Sequence, residues 1–185
     1  EMVAFLSYFK WISQFVPKDG NFKENKNLEI NFPEVAASPE RGKKLYIENC
    51  VRCHGADGQG VYKEDKSGYI YPPLWGDYGY QPGSSMHRVI KQAKWLKGNM
   101  PFDKVAVGKP FLTDEQALDI AAYVNDDAIH PRPNPKTFDY ANPMSKPIDY
   151  SHGPFQDNFS EQQHKYGPYK PIIAFWEKNG WKATY

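Results

Sequence analysis

Two cysteines two residues apart, followed at once by a histidine, constrain this chain more than any other feature: Cys50-Val51-Arg52-Cys53-His54. They are the only cysteines among 185 residues. No second pair exists to complete a four-cysteine zinc site, and no other thiol is available for a disulfide framework. A thioredoxin-like redox pair needs a preceding strand, and the residues before Cys50 read as a helix instead.

Cys-x-x-Cys-His is the attachment motif for haem c. The thiols stand about one helical turn apart, matching the two vinyl groups that they capture as thioethers. His54 is then carried beneath the iron as its proximal ligand. One haem c, covalently held by Cys50, Cys53 and His54, is the expectation. The sixth ligand is expected from Met100, in Asn99-Met100-Pro101-Phe102, a soft thioether beyond the next helix that favours ferrous iron. A buried gap-filling methionine is the plainer reading. Met86, His87, Met144, His130, His152 and His164 are poorer candidates, with His87 read as a partly solvated surface residue, Met144 as packing, and the three tail histidines as structural or surface residues. Lys97 suits a cap at its helix end better than a ligand. A carbonyl of Pro72 or Pro73 is placed to accept the free N–H of His54. Pro73 and Leu74 would line the haem pocket, and Trp75 would either bond a propionate or simply pack.

Along the chain, residues 1–16 read as a helix with Met2, Phe5, Leu6, Phe9, Ile12, Phe15 and Val16 on one buried face, stopped by Pro17 and a Lys18-Asp19-Gly20 turn. A polar linker follows, with Leu28, Ile30, Phe32 and Val35 as anchors. Ser38 caps a second helix, with Pro39 at its first position and Glu40 favouring the dipole. Residues 61–83 read as a loop rich in Gly, Pro and Tyr. A third helix is predicted over 85–96, capped by Ser84 and ended by Gly98. Thr113 to Gln116 is a capping box that opens a fourth, with Ala117, Ile120, Ala121 and Val124 as its buried stripe. Beyond Asn125, eight prolines rule out a long regular helix, and the many aromatics there predict a tail lying on the domain.

Composition supports a packed core: 40% of residues are apolar and 16% aromatic. The formal charge of +1 points to neither nucleic acid nor an acidic surface, and no apolar run is long enough to span a bilayer. The chain starts at Glu1, so a start methionine and any signal peptide are expected to be absent from it.

Gly42, Tyr46, the Cys50–His54 motif, Pro72-Pro73-Leu74, Asn99-Met100-Pro101 and Ala121-Ala122-Tyr123-Val124 together resemble the class I cytochrome c family over about residues 38–128. That resemblance implies an all-α fold around one haem, with an N-terminal helix and linker over 1–37 and a Pro- and aromatic-rich extension over 129–185. It also implies that the first and last helices cross closely, with Gly42 permitting the approach. A narrower resemblance covers nearly the whole chain. The opening stretch and the tail from Lys146 to Phe155 and Phe159 to Tyr169 are similar to two-haem thiosulfate dehydrogenases of the TsdA type. In those enzymes the substrate haem belongs to the first domain and carries a cysteine ligand. Here no cysteine remains beyond the two thioether positions. The resemblance therefore implies the electron-relaying haem: either the C-terminal part of a two-haem protein or a single-haem relative. The expected function is single-electron transfer between periplasmic redox partners. The alternative is a relay part of a thiosulfate dehydrogenase or tetrathionate reductase, and a third class is a small-molecule or gas sensor in which Met100 leaves the iron and a ligand enters.

Overall fold

A computed structural model describes residues 2–16, 29–133 and 139–185. The predicted stop at Pro17, the turn after it and the anchor Leu28 lie outside them. The order is α1 (Met2–Ile12), α2 (Pro39–Asn49), α3 (Val51–His54), β1 (Val61–Tyr62), β2 (Tyr69–Tyr71), a 3-10 turn (Ser85–His87), α4 (Val89–Asn99), α5 (Asp114–Val124), a second 3-10 turn (Pro143–Ser145), α6 (Glu161–Tyr166) and α7 (Tyr169–Lys178).

The centre is the crossing of α2 and α5. Ser38 accepts from the Arg41 N–H and so starts α2 with Pro39 in its first turn. Thr113 and Gln116 form the expected reciprocal box at the start of α5. All eight residues from Ala117 to Val124 are buried, a wider face than the predicted stripe. Gly42 lies against α5 so closely that a Cβ there would meet the Asp119 carbonyl oxygen at 1.9 Å. The Asp119 side chain also holds the start of α2, accepting from Arg41 Nε at 2.7 Å and from the Ser38 N–H at 2.7 Å. Tyr46, Tyr123 and Trp75 pack beside the crossing with ring centroids 5.4–6.1 Å apart.

Several expectations need correction. The fold is mostly helical but not wholly so: β1 and β2 form a short antiparallel ladder inside the predicted loop. Tyr62, Tyr69, Ile70 and Tyr71 favour extended backbone, and Lys66 at φ 54° turns the chain between the strands. The third helix is broken into two pieces at Arg88, because the tail binds the backbone there, and α4 then runs through Gly98 to Asn99. In the tail, α7 is a regular helix of ten residues. Pro171 sits in its first turn, where no intrahelical N–H is needed.

Helix α1 forms, but the predicted buried face does not. Met2, Phe5, Leu6, Phe9 and Ile12 are 46–73% exposed. Its apolar side chains surround the helix rather than forming a stripe, since Val3, Tyr8 and Trp11 lie exposed between them. Of the linker anchors, Ile30 and Phe32 pack on the core while Val35 is exposed.

The C-terminal residues share the central core. Ile148, Tyr169, Ile172 and Trp176 belong to the same buried cluster as Ile90, Ala93 and Ile120. Polar ties reinforce this. Asp149, fully buried, accepts from the Ile90 N–H at 3.1 Å and from Arg88 Nε at 2.9 Å. It thereby caps α4, whose own N-cap residue Arg88 supplies no side-chain bond. Asp127 at the end of α5 pairs with His87 and with Lys165 of α6. His87 is therefore buried rather than partly solvated. His164 is enclosed, bonded to the Ile148 carbonyl at 2.7 Å and Asp157 at 2.9 Å, while Trp176 donates to the same carboxylate at 2.5 Å. Among the described residues no helix is long and apolar enough to cross a membrane.

Candidate functional site

The site is built from the end of α2. Cys50 closes that helix, its N–H bonded to the Tyr46 carbonyl at 2.8 Å. Its own carbonyl then accepts from both Cys53 at 3.1 Å and His54 at 2.9 Å, so α3 winds straight on from it. Both thiols and the imidazole are thus presented on one tight turn. Gly55, at φ 76°, ends the turn, and Tyr46 Oη anchors it by donating to the Gly55 carbonyl at 2.8 Å. Both cysteines are free and half-buried. Burial pushes the Cys50 thiol up to about 11, with the neighbouring Cys53 adding to the rise.

His54 is half-buried, and its Nδ1 lies 3.3 Å from the Pro72 carbonyl oxygen. With Nδ1 donating there, Nε2 carries the free lone pair that a metal requires. Desolvation holds the imidazole below its usual range, opposed by the Pro72 carbonyl, so the neutral form prevails at neutral pH.

The segment carrying Pro72 is fixed against the glycine turn after the motif. The Leu74 N–H donates to the Gly58 carbonyl at 2.8 Å. Gly58, at φ 67°, lies against the Trp75 ring, which a Cβ would meet at 2.2 Å. Pro73 is buried and Leu74 half-buried. Trp75 is 7% exposed and stacks on His130 with centroids 3.7 Å apart, beside Tyr46 and Tyr123. Trp75 thus packs into the core beside the motif. Arg132, which sequence reasoning missed, donates to the Leu74 and Val124 carbonyls at 3.0 and 3.1 Å and to Asn125 Oδ1 at 3.3 Å. Its position in a Pro-rich stretch gave no signal of such burial.

Met100 directly follows α4, its N–H bonded to the Leu96 carbonyl at 2.8 Å, and is half-buried. Lys97 neither points towards ligation nor caps its own helix. It pairs with Asp114 at 2.5 Å and donates to the Glu29 carbonyl at 2.7 Å. That contact anchors the end of α4 to the start of α5. Among the described residues, no three His, Cys, Asp or Glu side chains gather as an ordinary metal cluster. The turn offers instead two free thiols and an oriented imidazole, which suit haem c rather than a bare ion, while the Met100 thioether stands at the end of α4.

Comparison with known proteins bears on the family. The cytochrome c family profile matches residues 39–126. Thiosulfate dehydrogenase of Psychrobacter arcticus is 38% identical over 129 residues, covering 66% of this chain and 36% of that protein. The thiosulfate dehydrogenases of Stutzerimonas stutzeri and Allochromatium vinosum are 35% and 34% identical, with 39% and 46% of their lengths covered. The solved structure of thiosulfate dehydrogenase (TsdBA) from Marichromatium purpuratum, as isolated, superposes with a TM-score of 0.54 at 30% identity, over 83% of this chain and 31% of that one. Residues 39–126 therefore match a cytochrome c domain, a class of electron-transfer haem domains. Within that class the chain resembles the TsdA-type thiosulfate dehydrogenases, and it spans less than half the length of these curated relatives.

Proposed function

We propose that Cys50 and Cys53 hold one haem c through thioethers, that His54 and Met100 are its axial ligands, and that the protein passes single electrons between periplasmic redox partners. The carrying observation is the His54 ring, whose Nδ1 is engaged by the Pro72 carbonyl at 3.3 Å while two uncrosslinked thiols share its turn. When bound, the haem supplies an iron that gains or loses one electron between its ferric and ferrous states.

The chain's own residues do the rest. Pro72 fixes the imidazole plane, so the ligand need not reorient between oxidation states. Pro73 and Leu74 wall the proximal side, held by Gly58 and Arg132. Met100 closes the opposite side from the end of a helix anchored at both ends. With His54 and Met100 both holding the iron, no coordination position would be left for substrate. That favours electron relay over catalysis.

A specific observation supports a second reading. The relatives are named thiosulfate dehydrogenases and are more than twice as long as the matched region. In that reading the domain is the relay haem of such an enzyme. Two measurements test the pair. The holoprotein should show a far-red sulfur-to-iron band at neutral pH that Met100→Ala abolishes; persistence of the band in the variant refutes Met100 ligation. Steady-state turnover with thiosulfate and an artificial acceptor should be negligible, and substantial turnover would replace the carrier reading by the enzymatic one.

A further inference from the structure

The loop that follows Met100 is tied across to the cysteine motif by side chains that neither ligate nor line the haem pocket. Its backbone bonds close mostly on itself: Lys104 and Val105 N–H groups donate to the Pro101 carbonyl, and Ala106 and Lys109 bond each other. Phe102 and Val107 are at least 80% exposed, so apolar burial does not hold the loop tip down. Two side chains reach back. Asp103 pairs with Arg52, the residue between the two cysteines, and Lys104 Nζ lies 3.4 Å from Asn49 Oδ1 at the end of α2. The stretch that follows the distal ligand is therefore fastened to the turn that carries the proximal one.

We propose that Arg52 and Asp103 are positioning residues for Met100, forming an electrostatic clamp that limits how often the methionine leaves the iron. This rests on Met100 ligation as read above. Both side chains are about half exposed, so the clamp works in solvent and is screened by salt. An exposed pair contributes little to global stability. Here it joins two segments whose separation determines ligation, so it acts on the local opening equilibrium, where a small term is read directly as a rate.

The test uses the full holoprotein and cyanide, which binds ferric iron only after Met100 has left. At low ionic strength Asp103→Asn and Arg52→Gln are each expected to bind cyanide about two- to fivefold faster than the parent, in line with exposed ion pairs. In 1 M NaCl the parent should approach the variants. The reciprocal protein, Arg52→Asp with Asp103→Arg, should return towards the parent rate at low salt. Glu34→Gln, which removes the remote exposed pair with Lys170, should leave the rate unchanged. Equal rates in Asp103→Asn and parent at low salt, or a reciprocal protein no slower than the single variants, overturn the clamp. A parent that lacks the far-red sulfur band instead overturns the ligation reading beneath it, so the two failures are distinguishable.

Discussion

Replacing Gly42 by alanine tests the helix crossing on which the site stands. The added Cβ would sit 1.9 Å from the Asp119 carbonyl oxygen, 2.5 Å from its carbon and 2.8 Å from Tyr123 Cβ. All three are backbone or Cβ atoms, so no side-chain rotation relieves the clash. Reaching the 3.4 Å of ordinary contact requires α2 and α5 to separate by about 1.5 Å. That movement stretches the Arg41–Asp119 and Ser38–Asp119 bonds, now at 2.7 Å, beyond useful length. Overpacking of this kind costs about 1–3 kcal/mol. Each weakened bond adds roughly 1 kcal/mol, and alanine's better helix propensity returns about 1 kcal/mol. The expected net loss is therefore about 2–4 kcal/mol. Urea unfolding of the holoprotein, followed by circular dichroism and haem absorbance, measures it. Gly68→Ala is the control, because nothing lies within 4 Å of a Cβ there, and it should change stability by about 0.5 kcal/mol or less. A loss below about 1 kcal/mol in Gly42→Ala would refute the close-approach argument.

Asp149→Ala removes the cap supplied to α4 and leaves the buried Arg88 guanidinium without its carboxylate. The expected loss is about 3–5 kcal/mol, read by the same unfolding assay; a change near zero would show that α4 does not depend on the tail. Asp157→Asn replaces the carboxylate that His164 and Trp176 share while sparing the shape of the site, and should loosen the tail and expose Trp176 to quenchers. Unaltered Trp quenching and unaltered unfolding would refute that role. Burial against Trp75, with Arg132 nearby, depresses His130 to about 4. The native ring then stays neutral while the unfolded one protonates near pH 6.5. Stability should therefore fall as pH drops from about 6.5 towards about 4, because the unfolded state binds the extra proton. His130→Gln should flatten that part of the stability–pH curve, and an unchanged slope would refute the assignment.

The turn that carries Cys50, Cys53 and His54 was legible in the sequence because its geometry is local. Five consecutive residues specify the cysteines and imidazole, and short-range signals such as Ser38, Pro39 and the Thr113–Gln116 box start the helices that carry them. What remained hidden depends on partners far along the chain. Arg88 ends one helical piece and starts another because Asp149, 61 residues later, binds it. His87 read as a surface residue because its partner Asp127 lies 40 residues on. Helix α1 failed differently. Its three-and-four spacing is real, but apolar residues also fill the other faces, and periodicity cannot name a burial partner.

The change in sequence texture near residue 129 is sharp, yet the core ignores it. Eight of the sixteen prolines crowd into the residues beyond it, but Ile148, Ile172 and Trp176 lie in one cluster with Ile90 and Ala93. The connection has direction as well as area. Asp149 holds the first turn of α4, and the last turn delivers Met100. Lys97 and Asp114 pin that last turn to α5, while Asp127 joins the end of α5 back to α6 through Lys165. The tail is thus coupled to the segment that presents Met100, whereas His54 is oriented by Pro72 only 18 residues away. A disturbance of the tail should consequently reach the methionine side first and leave the thioethers and the histidine in place. Asp149→Ala separates the two sides: it should weaken the far-red sulfur band while covalent haem content stays at the parent level. Parallel loss of both would mean that the two sides of the site share a single support.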